Sequence, residues 1–97
     1  MAGTPVSCMA SVHCAAASRN FLALEDHSLD VAWWQDLVEG IDKPIVDKGY
    51  ITVPDKPGLG VTLNDDVVKQ HLKPGTSYFA PTTEWNEPQS QDDRLWS

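Results

Sequence analysis

The chain is short of basic residues, cysteines and long apolar runs, and each shortage excludes something. Only seven of its 97 residues are Lys or Arg against fourteen Asp or Glu, so 7 − 14 gives a formal charge of −7. That sign, with no basic cluster, is wrong for gripping phosphates, and no nucleic-acid partner is expected. The strictly apolar runs, such as Phe21–Leu24 and Cys14–Ala17, are only a few residues long. A membrane-spanning helix needs about 20, so no membrane partner is expected. The first residues show neither the basic start nor the long apolar stretch of a signal peptide. Two cysteines without such a leader predict free thiols in a reducing, cytoplasmic setting. Length excludes a closed barrel, which needs about 250 residues.

What is present has globular composition, 41% hydrophobic and 22% charged, too apolar for a disordered chain. Thr4 as N-cap and Pro5 in the first turn predict a helix over residues 5–17. Val6, Met9, Ala10, His13 and Ala17 form one stripe, and Cys8, Val12, Ala15 and Ala16 make the other faces nearly as apolar. Such a helix is expected to be covered on most sides. Phe21–Leu24 then reads as a strand buried on both faces, ending at Glu25. A helix followed by a parallel strand is half of a βαβ unit, and the strand has no partner in this chain.

Further on, Ser28 is positioned to cap a helix over residues 29–39, with Gly40 beyond its end. Ile45-Val46 and Tyr50–Val53, joined through Asp47-Lys48-Gly49, read as a β-hairpin. Pro57-Gly58-Leu59-Gly60 is a turn, Val61–Leu63 is extended, and Asn64 caps a helix that Pro74-Gly75 stops. From Thr76 the periodicity disappears, yet Tyr78, Phe79, Trp85 and Trp96 remain, which predicts an irregular strap over a surface.

Glu25 is the leading candidate for chemistry, because a carboxylate closing an apolar strand stands at the sheet rim where α/β sites assemble. Asp26 and His27 follow it directly. Cys8, His13, Cys14 and His27 suggest a metal, but at about 100° per residue Cys8 and Cys14 diverge by about 240° around one helix. No CxxC pair exists, so neither a metal site nor a cofactor-binding residue is assigned. Gly58-Leu59-Gly60 lacks the third glycine and the following helix of a phosphate cradle. His71 is expected to pack on an apolar helix face.

The order of these pieces resembles a known family. The stretch Asn20-Phe21-Leu22-Ala23-Leu24-Glu25, then Lys48-Gly49-Tyr50, then Val53-Pro54-Asp55-Lys56-Pro57-Gly58-Leu59-Gly60-Val61 and a capped helix look like the C-terminal part of the mandelate racemase/muconate lactonizing branch of the enolase superfamily. Within it, the sugar-acid (galactonate-type) dehydratases are most similar. The resemblance implies an α/β chain that is the end of a (β/α)7β TIM-like barrel. Residues 5–17 would be its seventh helix and 21–25 its eighth strand. Residues 1–40 would close the barrel domain, and residues 41–97 would return through hairpin and helix to the capping domain.

The implied reaction removes the proton alpha to a carboxylate, holds the enediolate on Mg2+ and expels a β-hydroxyl. Glu25 aligns with the family glutamate that, as the protonated acid, hydrogen-bonds the substrate carboxylate. The apolar strand Phe21–Leu24 and the anionic substrate are expected to keep it neutral. The family's Mg2+ ligands lie on the third to fifth strands and its basic residues on the second and sixth. Its histidine ends the seventh strand, ahead of Met1. None is in this chain, and neither His13 nor His27 stands in for that histidine. The expectation is therefore a fragment, inactive alone, of a cytoplasmic, homo-oligomeric, Mg2+-dependent acid-sugar dehydratase. The alternatives are a related racemase or cycloisomerase, and a small acidic binding module that grips a partner through Trp33, Trp34, Trp85 and Trp96.

Overall fold

The computed structural model describes residues 3–78; Phe79, Trp85 and Trp96 of the expected strap lie outside them. Helix α1 is Pro5–Ala16, with Pro in its first turn and the Thr4 hydroxyl accepting from the Ser7 N–H at 3.4 Å. Its buried face is Pro5, Cys8, Met9 and Val12, a regular i, i+3, i+4, i+7 set. The expected all-round burial is not found: Ala10, Cys14, Ala16 and Ala17 are exposed. Only one side of the helix meets another part of the described chain. His13 lies half-buried at the edge of that side, its Nε2–H donating to the Leu59 carbonyl at 3.0 Å.

Residues 21–28 run without regular secondary structure, and the expected buried strand does not form. Phe21 is 47% and Leu22 97% exposed. A parallel strand needs a neighbouring ladder on its edges, and the described residues offer none. The helix expected over 29–39 is also replaced. A 3-10 turn, Trp34–Leu37, leads into strand β1, Val38–Glu39. Tertiary contacts explain the change. The Ser28 hydroxyl, expected to cap, accepts from the Gly3 N–H at 3.0 Å, and the Trp34 indole N–H donates to the Gly3 carbonyl at 2.7 Å. Leu37 and Val38 are committed to the next element, so local helix propensity loses.

That element is β2, Thr62–Leu63, antiparallel to β1 with Val38 opposite Leu63 and Glu39 opposite Thr62. The Asn64 N–H donates to the Leu37 carbonyl at 2.8 Å, extending the pairing. The Asn64 side chain then accepts from Val67 N–H and starts helix α2, Asp65–Gln70. Asp65 and Asp66 sit in its first turn and Lys69 in its last, favourable against the helix dipole. The hairpin is present but narrow. Asp47 and Tyr50 exchange backbone hydrogen bonds of 2.9 and 3.0 Å around Lys48 and Gly49, both at positive φ, as a type I′ turn requires.

The product is a small α/β piece whose core is Cys8, Met9, Val12, Trp34, Val38 and Ile45, fringed by Leu24, Ile51, Leu59 and Val61. Among the described residues no helix is long and apolar enough to cross a membrane.

The two cysteines occupy opposite environments, Cys8 buried and Cys14 exposed. Burial first, then the neighbouring Asp26 carboxylate, pushes the Cys8 thiol from 9.0 up to about 11. A raised folded value means that the fold favours the thiol. Its contribution is fully present below pH about 9 and is lost as pH rises through about 11. The stability difference between wild type and Cys8→Ala should therefore narrow between pH 8 and pH 11, measured by urea titration. A constant difference would contradict the placement of Cys8 beside Asp26. In native buffer a disulfide reagent should titrate Cys14 alone, and both thiols in denaturant.

Candidate functional site

The site grows out of a simple alternation. Along the extended backbone, Leu24 and Asp26 are half-buried and Ser28 is buried, while Ala23, Glu25 and His27 are exposed. Successive side chains on extended chain point to opposite sides. Asp26 thus turns inward and Glu25 and His27 turn outward together.

The inward side is firmly held. Asp26 Oδ1 accepts from the Ser28 N–H at 3.0 Å, and Asp26 Oδ2 accepts from the Cys8 thiol at 3.7 Å. The Ser28–Gly3 hydrogen bond ties the same stretch to the start of α1. On the outward side the Glu25 carboxylate pairs through Oε1 with His27 Nε2. Both side chains are largely exposed, at 75% and 65%. Glu25 therefore occupies the expected place at the end of the apolar run. The apolar surroundings expected from Phe21–Leu24 are absent, because those residues are themselves uncovered. The inward anchor at Asp26 and the pairing of Glu25 with His27 were missed by sequence reasoning. The signal for both was the two-residue spacing within Leu24–Ser28.

Beside this segment lies an open, mainly apolar groove of about 620 Å3, lined by Val12, Phe21, Leu24, Leu29 and Ile51, with Asp26 among its walls. Glu25 stands outside it. As for a metal, Mg2+ demands a near-octahedral shell of oxygens. Both Asp26 oxygens already accept hydrogen bonds and Glu25 pairs with His27. No group of three or more His, Cys, Asp or Glu side chains among the described residues converges on one point. The residues present do not fit Mg2+.

Two further expectations are corrected. His71 is exposed and stacks on Trp33, with ring centroids 3.8 Å apart and planes 8° from parallel. It closes α2 from outside because that short helix has no buried residue. Trp34 is buried, with its indole N–H satisfied by Gly3, so it cannot grip a partner as a binding module would require. Trp85 and Trp96 lie outside the described residues.

Comparison with known proteins adds the relationship. Residues 1–67 match the family described as enolase C-terminal domain-like. A curated protein, the D-xylonate dehydratase of Haloferax volcanii, is 46% identical over 76 residues, which cover 78% of this chain. The chain spans only 18% of the length of that relative. No solved structure matches.

Proposed function

This chain belongs to the enolase C-terminal domain-like family, and on that premise we propose that it forms the C-terminal part of a sugar-acid dehydratase, a hydro-lyase. The observation that carries this reading is the 46% identity to D-xylonate dehydratase over most of the chain. The substrate class is an acid sugar of the D-xylonate kind. In this reading α1 is the seventh helix of a (β/α)7β barrel and residues 21–25 are its eighth strand. Residues 41–97 return to the capping domain. The exposure of Phe21 and Leu22 supports that placement, since a barrel strand expects cover on both faces. The parent enzyme is inferred to be cytoplasmic and homo-oligomeric.

Mg2+ would be held by carboxylates elsewhere in the parent enzyme and would supply Lewis-acid stabilisation of the enediolate. This chain contributes Glu25. In its protonated form it donates a hydrogen bond to a carboxylate oxygen of the substrate. As the alpha proton leaves, negative charge builds on that carboxylate, so the hydrogen bond strengthens toward the transition state and lowers the barrier.

The test grafts the matching 76 residues of this chain into D-xylonate dehydratase in place of its own. The graft should turn over D-xylonate with Mg2+, and Glu25→Gln should lower kcat/KM by about 100-fold, the usual scale for removing one such donor. The 97-residue chain alone should give no turnover with Mg2+ and a panel of aldonic and aldaric acids. A folded, active graft indifferent to Glu25→Gln would overturn the assignment. So would genuine turnover by the chain alone.

A further inference from the structure

We propose that His27 is the positioning residue for Glu25, holding one carboxyl oxygen so that the other is presented to the substrate. This rests on the dehydratase reading and adds to it a residue that the family resemblance leaves without a role.

Three observations carry the inference. Glu25 and His27 lie on the same side of an extended backbone and pair through Oε1 and Nε2. The residue between them is fixed from the opposite side, where Asp26 is held by the Ser28 N–H and the Cys8 thiol. The segment is further tied to the start of α1 through Ser28 and Gly3. The backbone that carries the pair is therefore located, and what remains free is rotation of the Glu25 side chain. An exposed glutamate samples many rotamers, and holding it in one removes that entropy before the substrate arrives.

The hydrogen-bond inventory gives the pairing its direction. A protonated carboxyl has one oxygen that donates and one that only accepts. An imidazole Nε2–H on Oε1 occupies the accepting oxygen. The proton then resides on Oε2, facing away from the ring and available to a substrate carboxylate. Without His27 either oxygen can carry the proton and the carboxyl can turn away. His27 itself touches no reacting atom.

The test uses His27 variants of the graft together with the intact 97-residue chain. His27→Leu keeps bulk but removes the donor and should lower kcat by about 10-fold with KM changed less than about 2-fold, the pattern of a lost transition-state interaction. His27→Gln, whose amide N–H reaches about as far as Nε2, should recover kcat to within about 3-fold of the unsubstituted graft. Equal losses for both variants would mark a merely structural role and overturn the proposal, as would no loss for either. If Glu25→Gln is damaging while His27→Leu is neutral, the dehydratase reading stands and the positioning role falls. If both are neutral in an active graft, the reading of Glu25 falls first. Should the graft fail to assemble, the intact chain decides. A nuclear Overhauser contact between the Glu25 Hγ protons and the His27 ring should be present, and its absence refutes the pairing.

Discussion

Gly60→Val should be the most damaging single substitution in the turn that links the hairpin to β2, lowering stability by about 4 kcal/mol. Two costs add. Gly60 has φ of +80°, and a residue with a Cβ pays about 1–2 kcal/mol for that left-handed conformation, more if β-branched. A Cβ there would also lie 2.4 Å from Pro54 Cγ and 2.7 Å from Pro54 Cβ. The proline ring cannot swing aside, so the backbone must move, at about 1–3 kcal/mol. Gly58 provides the control. Its φ of +67° is also left-handed, but nothing lies within 4 Å of its virtual Cβ. Gly58→Ala should cost only about 1 kcal/mol. A small fold with few kcal/mol in reserve should survive the second change and not the first. Urea midpoints and the reagent accessibility of the Cys8 thiol would show the difference. Equal effects at both positions would mean that Gly60 does not pack against Pro54 as described.

The same turn shows what could be read from the sequence. Wherever the deciding interaction is local, the expected structure forms. Thr4 and Pro5 start α1, Asn64 starts α2, and Lys48-Gly49 makes the hairpin turn, because capping and left-handed turns depend on neighbours within a few residues. Residues 29–39 had a plausible cap and an apolar face, yet form a 3-10 turn and a strand. Their competitors, Gly3 for Ser28 and Trp34, and Leu63 for Val38, lie 25 to 31 positions away, as the first two hydrogen bonds show. No periodicity in the window reports them. Residues 21–25 fail to be a buried strand for a different reason: the apolar pattern is sound, but the described residues supply no ladder for its edges. Of the site, the place of Glu25 was legible from the end of the apolar run. Its pairing with His27 and the inward anchoring of Asp26 were not, because they required knowing that the extended stretch continues through Ser28 with one side against α1.

Met9→Ala should carry the second large effect, about 3 kcal/mol, within the usual range for truncating a buried methionine. Met9 is fully buried beside Cys8 and Val12, facing Trp34 and Val38 across a core of six residues. A core this small has little else to redistribute, so the void left by the thioether persists and its lining loses contacts. Met9→Leu conserves volume and should cost less than about 1.5 kcal/mol. The consequence reaches the site, since Cys8, the next residue toward the start of α1, gives its thiol to Asp26 and so fixes the segment carrying Glu25 and His27. In the 97-residue chain, Met9→Ala should lower the urea midpoint and make Cys8 reactive under conditions where the wild type protects it, whereas Met9→Leu should leave Cys8 protected. Protection of Cys8 in Met9→Ala equal to wild type would mean that α1 does not seat on Trp34 and Val38. The anchor proposed for Glu25 and His27 would then have no foundation, because the Cys8–Asp26 contact exists only while that face of α1 is held.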